Sequence, residues 1–220
     1  PYVDHIDAMD INLSMLAVAR EKLVDAASEA RIAFHEGGVQ NMPFEAESFE
    51  VVTFNQVLHH LESGRDRSFS GHRTALAEAH RVLRPGGLLI VNCTSHEQLR
   101  DGYWYMHLIP SALRTLYDRC ISAEKLEGML SEIGFSFEGR FVPMDDVLQG
   151  AAYFEAEGPL NPAWRNAESS WALAPEVEIA AAEAKLRGLR ENSGLNAYLA
   201  EYDHKRRHVG QITFFMARKA

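Results

Sequence analysis

Histidine exchanges a proton close to neutral pH, so His60, His107 and His204 are the first candidates for a general base in a group-transfer reaction. Each also reads as an ordinary, satisfied polar residue. His59 and His60 are adjacent, point in different directions on a helical turn and make a poor metal pair, so no metal is expected. Tyr103, Trp104 and Tyr105 form a run of aromatic faces that could line an apolar substrate and attract a cation, with aromatic core as the equal alternative. Trp164, Arg165 and Trp171 are weaker substrate candidates, Arg165 because a guanidinium can hold a carboxylate. Asp145 and Asp146 make a lone carboxylate pair, which suits a helix cap better than a metal site.

These residues need elements to position them. Apolar spacing predicts a strand over residues 3–9 and a helix over 13–27, its apolar side formed by Leu13, Leu16, Ala17, Leu23 and Val24. "RIAFHEGG" reads as a short strand running into glycines. "SFEVVTFNQ" reads as a strand buried on both faces that leads into "VLHHLE". "RTALAEAHRVL" is an amphipathic helix stopped by "RPGG", which turns into the strand "LLIVN". A further helix is capped by Ser122 and closed by Gly134, and "SFEGRFVPM" and "QITFFMARK" are the last two strands. Alternation of this kind predicts an α/β fold, a parallel sheet with helices on its faces.

Two stretches break the alternation. Residues 96–120 are rich in aromatics, and residues 150–208 contain "GPLNPAWRNAESSW" and an alanine-rich helix. Both are expected to form a cap over the sheet, whose core then comprises residues 1–149 and 209–220. Ligands of doubly wound sheets bind beyond the C-terminal ends of the strands, so insertions leaving those ends make natural substrate walls.

The composition narrows the partners. With 220 residues, 46% hydrophobic and 24% charged, the chain suits a soluble globular domain, and its apolar runs are too short to span a bilayer. A net charge of −9 argues against nucleic acid. The basic cluster "HKRRH" at 204–208 reads as a solvated turn before the last strand, or as an anchor for an anionic group. Cys93 and Cys120 are too far apart in sequence for a metal motif and are expected to be buried, reduced thiols. No secretory leader is visible, so a cytoplasmic location is the default expectation, with homo-oligomer formation left open.

Four segments, in order, resemble the class I S-adenosylmethionine-dependent methyltransferases, and especially their small-molecule branch: "IDAMDINLSMLAVAR", "FHEGGVQNMPFEAESFEVVTFNQVLHHL", "ALAEAHRVLRPGGLLIVN" and "SEIGF". The resemblance implies a doubly wound Rossmann-like fold, S-adenosyl-L-methionine as cofactor with S-adenosyl-L-homocysteine as product, and a small-molecule acceptor. It places Asp10 at the ribose hydroxyls, with Asp7 as a nearby decoy and a helix cap as the other reading of Asp10. Ile11 and Met15 would pack on the adenine. Gly38, Val39 and Gln40 would offer backbone groups to it, and Asn55 and Gln56 would lie near the methionyl part. Where the family has Gly-Asp, this chain has Gly37-Gly38, which removes one adenine contact of on the order of 1 kcal/mol.

The family's first strand and its glycine-rich loop have no counterpart in the sequence. The family topology puts that strand between the two that correspond here to "HIDAMD" and "FEVVTFN". Without it two rows of backbone groups would stand unpaired, so the expectation is either a fragment, the preferred reading, or a chain completed by another polypeptide. A non-catalytic scaffold is the rival to the enzyme.

Overall fold

The computed structural model describes residues 3–24, 31–61 and 68–220. The first unit is β1 (Ile6–Asp10), α1 (Leu13–Lys22) and β2 (Ile32–Glu36), with the two strands paired in parallel from Ile6↔Ile32 to Asp10↔Glu36. The second is a four-stranded sheet of β3 (Phe49–Asn55), β4 (Leu83–Cys93), β5 (Phe135–Phe141) and β6 (Thr213–Lys219) in the order β3-β4-β6-β5. β3 and β4 are parallel, and β6 runs antiparallel between β4 and β5.

No ladder joins β1 to β3 among the described residues, and the division falls where the expected topology lacks a strand. The edges on either side are correspondingly bare. Val51 on β3 is 45% exposed and Ile6 on β1 is 44% exposed. "VVTF" is therefore not buried on both faces as expected, because among the described residues no strand pairs with β3 on that edge. For the same reason only Leu16 of the apolar side of α1 is buried, while Leu13, Leu23 and Val24 face outward. Residues 25–27 of the expected helix lie outside the described residues.

Helix α2 (Ser70–Val82) buries Ala75, Leu76, Ala79 and Val82 on the sheet. β4 begins directly at Leu83, and the pairing steps from Phe49↔Leu83 to Val51↔Leu88, so "RPGG" is an excursion within the strand, with Gly86 at a φ of 76°. α3 (His96–Asp101) follows β4 through a reciprocal Ser95–Gln98 capping box, and α4 (Pro110–Arg119) starts with proline at its first position, where no amide donor is needed. α5 (Ala123–Ile133) is capped by the Ser122 hydroxyl and closed by Gly134 at a φ of 108°, as expected.

The two irregular stretches pack on each other. Leu99, Trp104, Ile109, Ala112 and Leu116 from the first meet Tyr153, Trp164, Trp171, Ala182 and Leu186 from the second in one apolar cluster. The second stretch supplies α6 (Pro162–Asn166), α7 (Glu176–Glu191) and α8 (Leu195–Val209). "HKRRH" is helical rather than a turn. On α8, Arg206 is buried beside Asp203 at 2.7 Å, and Arg207 shares the same carboxylate. Asp145 and Asp146 lie in an exposed bend and cap no helix. Cys93 and Cys120 are free and buried, and burial pushes both thiols up to about 12. No helix among the described residues is long and apolar enough to cross a membrane.

Candidate active site

The C-terminal ends of β1 and β2 converge on Asp10. Its carbonyl accepts from the Gly37 amide at 3.2 Å, which fixes the loop after β2 beside it. Its Oδ1 accepts from the Asn12 amide at 2.7 Å, while Asn12 itself caps α1 by accepting from the Ser14 amide. The capping role offered as an alternative for Asp10 thus belongs to Asn12. Asp7 is engaged elsewhere: its Oδ1 lies 2.6 Å from His35 Nε2.

The surroundings of Asp10 fit an adenosine. Its Oδ2 carries no hydrogen bond among the described residues, so one carboxylate oxygen is free for ribose hydroxyls. Ile11 and Met15 beside it are 77% and 55% exposed, apolar surface that a purine would cover. A Cβ on Gly38 would meet nothing within 4 Å, so the backbone there is open to close approach. Gly37, by contrast, is needed for packing, because a Cβ would come within 2.9 Å of Met9 Sδ. Val39 turns toward the sheet core and Gln40 is exposed.

At the end of β3, Asn55 is exposed and Gln56 takes a left-handed conformation with a φ of 53°. The strain is held by β4: the Gln56 amide donates to the Asn92 carbonyl, Nε2 donates to Asn92 Oδ1 at 2.9 Å, and Oε1 accepts from the Thr94 hydroxyl at 3.3 Å. Thr94 then approaches the Tyr103 hydroxyl at 3.4 Å, which donates to the Gln211 carbonyl. The sheet edge is tied to the cap through these groups.

His59 and His60 follow on a single 3-10 turn, Leu58–His60. Burial holds His59 at about 4, with the charges of His60 and Arg119 adding to it. Burial, then Arg119, lowers His60, and the Asp10 carboxylate opposes them. His60 therefore sits within electrostatic reach of Asp10 and is neutral at pH 7. The other two histidines belong to the cap stretches. His107 lies in the cap with its ring 4.4 Å from Tyr202, and His204 is exposed on α8 against His208.

The expected substrate side chains are core. Tyr103, Trp104 and Tyr105 are almost fully buried, with Trp104 Nε1 donating to the Tyr153 carbonyl and the Tyr105 hydroxyl to Glu168. Arg165 is not free for a carboxylate of a ligand, since its Nη1 is held by the Pro159 carbonyl and by Glu183 at 2.9 Å. Trp164 and Trp171 are buried against Tyr105. Aromatic residues at this density satisfy one another in a core, and only packing could decide that. Asn92 and Thr94, which hold Gln56, were not among the expected residues, although polar residues at the end of an apolar strand are a signal for them. Among the described residues, no group of three or more metal-binding side chains gathers.

Residues 2–91 match the family described as "Methyltransferase domain". A ubiquinone/menaquinone biosynthesis C-methyltransferase of Marinomonas is 30% identical over 145 residues, covering 57% of this chain and 54% of that protein. A demethylmenaquinone methyltransferase of Lactococcus lactis is 36% identical over 91 residues, covering 41% of this chain and 32% of that protein. The chain thus spans about half the length of the first of these relatives, or less. Among solved structures, an Anabaena variabilis protein assigned as an antibiotic-pathway methyltransferase superposes with a TM-score of 0.68 at 17% identity, over 100% of this chain and 92% of that one. A Streptomyces coelicolor geranyl diphosphate C-methyltransferase, solved with S-adenosyl-L-homocysteine, does so with a TM-score of 0.53 at 9% identity, over 99% of this chain and 63% of that one. The match to a methyltransferase domain thus covers residues 2–91, and the likeness to the solved structures shows that the chain shares the fold of such enzymes.

Proposed function

We propose that the protein transfers a methyl group from S-adenosylmethionine to a small-molecule acceptor. The observation that carries this reading is Asp10, held at the end of β1 with one oxygen free, beside exposed Ile11 and Met15 and the open backbone of Gly38. S-adenosylmethionine supplies a methyl group bound to a sulfonium, an electrophile that needs alignment more than acid or metal assistance. The chain's part is to hold and exclude. Asp10 accepts from the ribose hydroxyls, Gly38 and Val39 offer backbone groups to the adenine, and Gln56, locked by Asn92 and Thr94, fixes the edge where the acceptor meets the donor. His60, neutral and facing this edge, is the base we assign to take a proton from the acceptor at an imidazole nitrogen. The two packed insertions form the cap that keeps water out.

The names of the sequence relatives support a ring-bearing, quinone-like acceptor methylated at carbon, and this is the finer form of the reading. We place the protein in the cytoplasm, with neither nucleic acid nor membrane as partner. One observation favours a second reading, a scaffold without activity: among the described residues the sheet is divided, with no ladder between β1 and β3.

Calorimetric titration of S-adenosyl-L-homocysteine separates the two. Micromolar binding by the protein, weakened roughly tenfold or more by Asp10→Ala and unchanged by Asp7→Ala, supports the enzyme. A folded protein that binds none of it leaves the scaffold.

A further inference from the structure

The second insertion carries a cleft that shares no residue with the Asp10 edge. It holds about 880 Å³ between residues 155–161 and the last turns of α7, with the start of α8 at one end. A volume of this size is ordinary for a small-molecule site. Part of its lining is apolar: Ala156 and Leu195 are buried and Leu160 is half-buried.

The two walls differ in charge. Arg187 and Arg190 of α7 line one side, and Glu155 and Glu157 line the other. Glu183 is shared by two guanidiniums, Arg165 at 2.9 Å and Arg187 at 3.0 Å, so the basic wall keeps a surplus positive charge. The Glu155 carboxylate has no hydrogen bond or ion pair among the described residues, so the acidic wall keeps a surplus negative one. Arg190 Nη1 reaches Glu157 Oε2 across the cleft at 3.4 Å, a loose pair of exposed side chains that contributes little by itself. It does measure how near the walls come.

Charge balance then selects the ligand. A simple anion would answer the arginines but set a further negative charge beside Glu155 and Glu157, and a simple cation would do the reverse beside Arg187 and Arg190. A zwitterion answers both walls at once. Walls that approach this closely suit opposite charges carried on one carbon, and the apolar lining takes a hydrocarbon side chain. We propose that this cleft binds a free α-amino acid with an apolar side chain, its carboxylate on Arg187 and Arg190, its ammonium on Glu155 and Glu157, and its side chain against Ala156, Leu160 and Leu195. The amino acid is a ligand of the cap and not the methyl acceptor, and the proposal stands independently of the methyltransferase reading. By joining the two walls it braces the second insertion.

The test uses the whole chain near neutral pH and three probes of one skeleton: L-leucine, N-acetyl-L-leucine, which lacks the ammonium, and L-leucinamide, which lacks the carboxylate. Trp164 supplies a reporter beside the acidic wall, because a Cβ on Gly158 would come within 2.5 Å of its Nε1. In NMR spectra of the assigned protein, leucine is expected to shift the Gly158 amide and the Trp164 indole N–H. It should bind with a dissociation constant on the order of 1 mM or below, about tenfold or more tightly than either analogue. Arg187→Gln should weaken leucine about fivefold without weakening leucinamide, and Glu155→Gln should weaken leucine to a similar extent without weakening N-acetylleucine. Both side chains are exposed, so both variants keep the fold. Equal binding of the three probes, signals indifferent to about 20 mM leucine, or variants that weaken all three probes alike overturn the proposal. Leucine shifts confined to Asp10, Gln56 and His60 overturn it too, by making the amino acid a ligand of the other site.

Discussion

At the residue scale, burial decides what each ionisable group can do. His72 is fully buried against Phe69, with Lys125 close by, and burial followed by that charge holds its pKa at about 4. In the unfolded chain the same imidazole takes a proton near 6.5. Between those values the unfolded state binds more protons, so the stability contributed by a neutral His72 is complete above about pH 6.5 and is lost as the pH falls toward 4. We expect urea unfolding to show a loss on the order of 3 kcal/mol from this group over that interval, and a shallower pH dependence in His72→Gln. An equal slope in the variant would assign the acid sensitivity to other groups. Asp10 and Asp7 also differ by their partners: two carboxylates three residues apart, one engaged by His35 and one with an oxygen that carries no hydrogen bond among the described residues.

At the element scale, end signals translate well into structure. Ser122 and Gly134 bracket α5 as the sequence suggested, because a hydroxyl that accepts an amide and a residue that tolerates positive φ act locally. Gly134→Ala places a Cβ 3.2 Å from His80 Nε2 in a left-handed conformation, and should lower stability by about 1–2 kcal/mol. Ser122→Ala should remove about 1 kcal/mol by loss of the cap, both read from thermal or urea midpoints. Elements whose character depends on neighbours were less legible. "HKRRH" looked like a turn because charge clusters favour water, yet Asp203 one turn earlier neutralises it within α8. Tyr103, Trp104 and Tyr105 carried no mark to distinguish a wall from a core, and packing from residues 150–208 made them core.

At the scale of the whole molecule, the two-part sheet is the dominant feature. Among the described residues β1 and β3 are not joined by a ladder, and each carries exposed apolar side chains, Ile6 and Val51. Parallel neighbours need a crossover of a dozen or more residues, so a strand, a glycine turn and a helix joined ahead of β1 would be able to stand between them. Such an extension is expected to raise the melting temperature and to tighten binding of S-adenosyl-L-homocysteine. If it changes neither, no strand belongs there, and the exposed faces of α1 and β3 call for a different cover.

The sequence by itself determined the order of most strands and helices and the end signals at Ser122 and Gly134, because these follow from periodicity and from local hydrogen bonding. Tertiary structure alone decided that the aromatic run is cap core, that Arg165 is engaged and that Gln56 is held in a left-handed conformation. Each of these depends on which distant residue takes a hydrogen bond or excludes water, and separation along the chain carries no information about that.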